Sequence, residues 1–126
     1  MVEQPAPPLA LLLRAAGIVL VVVGIAMLIA PSAIATLFGL DVGAGGEFMT
    51  RRYGAAGMVG LGVALWLATG RTAPSAVLGG VAAWFFVQGG VAIVATLSGT
   101  ISGVAWVTVL ADPILGVASL LLARRL

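Results

Sequence analysis

The chain has 126 residues, 62% of them hydrophobic and 8% charged, with a mean hydropathy of +1.25 and a formal net charge of +2. Soluble domains are ~45–50% apolar and ~25% charged, so a chain this apolar cannot cover a water-facing surface, and lipid is its expected solvent. Cys and His are both absent, which excludes disulfides, thiol chemistry and nearly every zinc, copper or haem site, and no cofactor is expected.

The sequence pI of 10.6 has the look of a nucleic-acid binder by number alone. It rests on arginines placed at the ends of apolar runs, the pattern of headgroup anchoring and topology signalling. The lipid bilayer, not nucleic acid, is the expected partner. Lys and Asn are missing as well. Both have AT-rich codons, so the expected source is a GC-rich bacterium and the expected location its inner membrane.

Four apolar runs follow in chain order, at residues 9–30, 53–69, 76–97 and 101–123, and the second becomes a span of 47–69 when it is extended back through Glu47. About 20 residues of helix cross a hydrocarbon core of ~30 Å. Each run is apolar throughout, and the chain is too short for a barrel, so helices that satisfy their own backbone are the remaining option. The first run, followed by Ala30-Pro31-Ser32-Ala33, has some features of a cleavable signal peptide; a retained transmembrane helix is the expectation. The second run reaches full length only when Glu47, Arg51 and Arg52 are included at its start.

The connections at 70–75 and 98–100 are tight turns that make the last three helices sequential antiparallel neighbours. Residues 31–46 form the one long connection. Pro31 can open a helix there, and the apolar stretch after it predicts a short helix lying at the membrane interface. The expected fold is therefore all-α: one domain over residues 1–126, a four-transmembrane-helix antiparallel bundle with a short interfacial helix between the first two spans. Arg14, Arg71, Arg124 and Arg125 fall on one side and Arg51 and Arg52 on the other, which places both termini in the cytoplasm by the positive-inside rule.

Asp112 is the most informative residue. It lies eleven residues into the fourth run, roughly 16 Å deep at 1.5 Å per residue. A carboxylate at that depth is costly and normally faces a partner. Gln88 on the third run reaches a similar depth and is the expected hydrogen-bond partner, with Thr108 one turn before Asp112 on the same face. Pro113 should kink the helix beside it. Two roles are open. Asp112 is either a structural contact, in which case Asp112→Asn should be tolerated, or a protonatable coupling residue in transport.

Glu47, Arg51 and Arg52 form a second polar cluster. Glu47 and Arg51 stand at i, i+4 in the favourable order, as a helix-end pair would. The alternative is that one arginine turns inward towards Asp112 or holds an anionic lipid headgroup. Counted from a helix start at Glu47, Arg52 lies about 9 Å from the level of Asp112, a gap a guanidinium barely bridges.

The same segment continues as Tyr53-Gly54-Ala55-Ala56-Gly57-Met58-Val59-Gly60-Leu61-Gly62. Here the chain resembles a family of uncharacterised small four-helix bacterial membrane proteins whose second helix opens with Glu-x-x-x-Arg-x-Tyr-Gly-Gly before a glycine-rich stretch. Ala55 stands where that pattern has its second Gly. The resemblance implies the fold and no activity.

The glycines lack the preceding strand and following Lys of a phosphate loop. Ala56, Gly60 and Ala64 instead form a small-residue stripe for close helix packing, and Gly79 with Ala83 forms a second. Trp84, Phe85 and Phe86 sit at mid-helix, whereas Trp66 and Trp106 have the positions of belt aromatics.

Glu47, Asp112 and Tyr53 are the only acid–base candidates, and none has a nucleophile or metal set beside it. The expected function is a non-catalytic accessory subunit packing against helices of a larger bacterial envelope complex, in transport (such as lipid import) or respiration. The alternative is a small solute, proton-coupled or lipid transporter that acts as a homo-oligomer with Asp112 as its coupling residue.

Overall fold

A computed structural model describes residues 5–41, 43–101 and 106–126 of the chain. The described residues are helical and turn segments: α1 (Pro7–Ile29), α2 (Pro31–Leu37), α3 (Gly43–Met49), a π-helical turn (Thr50–Ala55), α4 (Ala56–Leu67), α5 (Ala73–Leu97) and α6 (Trp106–Arg125). Helix α3, the π turn and α4 run on without a break from position 43 to 67. Three helices, Pro7–Ile29, Ala73–Leu97 and Val107–Arg125, are long and apolar enough to cross a membrane, so the chain is a membrane protein. The expected start of the last run, at 101–105, lies largely outside the described residues, as does the side chain of Trp106.

Local sequence sets the boundaries. Pro7 and Pro31 sit in the first turns of α1 and α2, where a missing N–H costs nothing. Helix α2 ends as Gly39 turns to φ +72° and Leu40 N–H returns to the Ala35 carbonyl at 2.9 Å. Thr72 caps α5 by accepting from Ser75 N–H at 3.3 Å. Its hydroxyl also donates to the Leu126 carbonyl at 3.0 Å, and Ser75 Oγ donates to the Ala123 carbonyl at 2.8 Å. These bonds tie the start of α5 to the end of α6.

The helices pack in chain order, α1 on α4, α4 on α5 and α5 on α6, with no comparable packing between α1 and α6 among the described residues. The sequential packing expected of the later helices extends to α1, so the helices are arranged as a row. Glycine spacing explains it. On α4, a methyl added at Gly60 would lie 2.9 Å from the Gly80 carbonyl oxygen of α5, and one at Gly62 would lie 2.7 Å from the Gly17 carbonyl oxygen of α1. Two residues apart on an α-helix means about 200° around the axis, so α4 meets its neighbours on opposite sides.

Helix α5 repeats the pattern. Gly80 meets Ala64 and the backbone of Gly60, whereas Gly89 meets the ring of Pro113 on α6, again about 180° away. On α1, by contrast, Gly17 and Gly24 share one face, and both turn to the helical segment that contains α4.

The expected stripe of Ala56, Gly60 and Ala64 does face a helix interface: Ala56 is fully buried, and Gly60 and Ala64 pack on Gly80. The second stripe is displaced by one position. Gly79 lies against the Leu67 side chain and Ala83 is half-buried, but the backbone contact falls at Gly80, one turn after the buried Ala76.

Overpacking of such contacts should show in stability. Gly60→Val is expected to destabilise the protein by about 1–3 kcal/mol. At Gly57 an added Cβ meets nothing within 4 Å, so Gly57→Ala should leave stability unchanged or raise it by up to ~1 kcal/mol. Thermal denaturation of the two variants in one detergent checks the contrast.

Candidate functional site: a buried ion pair and a polar-lipped groove

The π turn positions the central side chain. In an uninterrupted α-helix Arg52 would point about 80° around the axis from Gly60. The extra residue that a π turn accommodates removes most of that offset. Gly60 and Arg52 accordingly both face α5: Arg52 Nη1 donates to the main-chain carbonyl of Gln88 at 3.2 Å.

Past α5, Arg52 Nη2 meets Asp112 Oδ2 of α6 at 2.9 Å, with both side chains 8% exposed. Asp112 Oδ2 receives no hydrogen bond of good alignment; the contact is ionic, made by proximity rather than by a linear N–H···O geometry. The guanidinium also lies 5.4 Å from the centroid of the Tyr53 ring, within cation–π range. Arg52 is thereby attached to α5 and α6 at once, and its own segment packs on α1.

Asp112 is paired with Arg52, not with the Gln88 amide. Gln88 is buried and contributes its carbonyl. The 9 Å gap inferred from sequence closes for a simple reason. The helix carrying Arg52 begins at Gly43, four residues before Glu47, which carries Arg52 about 6 Å further along the axis. Thr108 lies one turn before Asp112 in α6, as expected from spacing. Pro113 is inside α6 with its ring against Gly89.

The second cluster has a different character. Arg51 Nη1 stands 3.9 Å from Glu47 Oε2, both side chains more than a third exposed, and such pairs contribute ~0–1 kcal/mol. Glu47 Oε1 accepts from Ser32 Oγ, which joins α2 to α3. Arg51 Nε donates to the Leu28 carbonyl of α1 at 2.9 Å. The expectation of an anionic headgroup on Arg51 and Arg52 therefore narrows to Arg51, because Arg52 is enclosed by Asp112.

Glu47 and Arg51 border a groove of about 640 Å³ between α1, α3 and α5, whose walls include Leu28, Phe48, Phe86 and Gly90. No motif in the sequence announces it. It arises where three helices diverge, and only Phe86, an aromatic at mid-helix, was a signal. Phe86 packs on Gly116 of α6 and lines the groove as well.

At the other end of the molecule Arg14 Nε donates to Thr69 Oγ1 at 3.4 Å, and its guanidinium lies 5.8 Å from the Trp66 ring centroid. No family model, characterised protein or solved structure matches the chain.

The pairing alters the expected behaviour of Asp112. Asp112→Asn now leaves the Arg52 guanidinium buried without a counter-charge and should be strongly destabilising. Removal of one partner from a buried pair costs about 3–5 kcal/mol in soluble proteins. The double variant Arg52→Met with Asp112→Leu should recover most of the loss. A double-mutant cycle read by thermal stability in detergent measures this; equal losses for single and double variants would contradict it.

Proposed function

We propose that the protein is a non-catalytic membrane scaffold, an accessory subunit that packs against the transmembrane helices of a larger bacterial envelope complex in transport or respiration. The observation that carries this reading is the Arg52–Asp112 pair. These are the buried ionisable groups among the described residues, and each neutralises the other. A proton-coupling role asks Asp112 to release a guanidinium 2.9 Å away, with no second buried carboxylate among those residues to receive the proton. The row of helices adds support, because α1 and α6 each pack on one other long helical segment among the described residues and leave a flank open to other helices.

The proposed topology has four crossings. The continuous helix from position 43 to 67 is about 37 Å long, enough for the hydrocarbon core, and serves as the second span. Helix α2 lies at the surface, held to α3 by Ser32 and Glu47. With Arg52 neutralised internally, Arg51 alone opposes Arg14, Arg71, Arg124 and Arg125. That favours cytoplasmic termini in the inner membrane, and the resemblance to four-helix bacterial membrane proteins points to the same architecture.

Extraction from native membranes in mild detergent should retain partner membrane proteins at fixed stoichiometry, identified by mass spectrometry. The purified chain in liposomes should move neither solute nor ions. Unaided transport would overturn the subunit reading. Separately, a reporter fused after Leu126 should be active on the cytoplasmic side only.

A further inference from the structure

We infer that the groove between α1, α3 and α5 is a binding site for a single phospholipid with a zwitterionic phosphate–ammonium headgroup. Its volume of about 640 Å³ falls within the ~300–1,000 Å³ range of small-molecule sites. Its walls are largely apolar, with Leu28 from α1, Phe48 from α3, and Phe86 and Gly90 from α5. An acyl chain satisfies such walls; the polar lining consists of Glu47 and Arg51 with Ser98 and Thr100, just beyond the end of α5.

The polar groups at the groove select the headgroup. Arg51 is oriented by its Nε bond to the Leu28 carbonyl. Its two Nη groups donate no hydrogen bond to any described residue, and the nearest carboxylate oxygen is 3.9 Å off. A positioned guanidinium whose Nη groups donate no hydrogen bond to a described residue matches the oxygens of a phosphate. Glu47 borders the same groove and supplies the opposite charge. The pair sums to zero, so an anionic headgroup gains at Arg51 and loses at Glu47. A phosphate followed by a primary ammonium answers both charges, each with its opposite.

This site is independent of the subunit reading, since a scaffold or a lone protein can hold a lipid equally well. The test uses the full chain purified in a non-ionic detergent and native mass spectrometry with added lipids of matched acyl chains. Phosphatidylethanolamine should bind at one molecule per chain, at least about tenfold more tightly than phosphatidylglycerol or a diacylglycerol without phosphate. Arg51→Gln should weaken phosphatidylethanolamine binding by about tenfold or more, and Glu47→Gln should erase the preference over phosphatidylglycerol.

Gly90→Phe is the second handle. Gly90 lines the groove and an added Cβ there meets nothing within 4 Å, so a side chain at this position starts in open space on the groove wall. This variant should lose the bound lipid while keeping its melting temperature in lipid-free detergent. It keeps the proposal testable even where Arg51→Gln fails to fold. Equal retention of all three lipids marks an unspecific lipid annulus and overturns the proposal. So does lipid binding that survives Gly90→Phe, or a photo-crosslinker at Val94 that captures a protein helix in native membranes instead of lipid.

Discussion

A positive and a negative charge that would be ruinous apart meet inside this protein, and much of its architecture can be understood as a means of bringing them together. Arg52 and Asp112 stand on segments that do not otherwise pack substantially on one another. A buried arginine without a partner is costly, and the long side chain of Arg52 crosses beside α5 to reach its counter-charge. The π turn sets the direction of that crossing, and the Gln88 carbonyl supports it halfway. Buried pairs contribute little net stability against an apolar alternative, but they penalise every wrong arrangement. Here the pair and the Gln88 carbonyl link three helical segments through one guanidinium.

The glycines act on the same problem by distance. Where two backbones approach through Gly60 and Gly80, or Gly17 and Gly62, van der Waals contact replaces the hydrophobic driving force that lipid removes. Their angular spacing sends each helix's neighbours to opposite sides, which produces a row. A row has a larger perimeter than a bundle, consistent with the many exposed Leu, Val and Ile side chains on α1 and α6. In lipid that perimeter is no liability.

The helical character and three of the long apolar helices were legible in composition and run length alone. So was the shared level of Gln88 and Asp112, which one guanidinium reaches together, although the direct hydrogen bond expected between them is replaced by Arg52. What the sequence hid was local. Nothing in Thr50-Arg51-Arg52-Tyr53-Gly54-Ala55 marks a π turn, and the helix start at Gly43 falls in a glycine-rich stretch that reads as loop. Both errors bear on Arg52, so its pairing was the weaker of two alternatives on sequence grounds. The shift of the second stripe from Gly79 to Gly80 has a related origin: when 11 of the 25 residues of α5 are Gly, Ala or Ser, pattern alone does not fix the contacting face. The groove was illegible because it belongs to the gaps between helices, which no residue pattern states.

The location of Asp112 in the last helix has a consequence for how the chain is made. As a span, the segment that carries Arg52 leaves the ribosome well before α6 exists, and at ~5–20 residues per second the interval is on the order of seconds. Throughout it, an arginine that costs about 2.5–3.5 kcal/mol at a helix centre has no counter-charge. On the four-crossing topology proposed above, the segment therefore waits for the C-terminal helix to supply the partner of Arg52. A product that ends before α6 lacks Asp112, and with it the carboxylate that Arg52 meets in the finished fold.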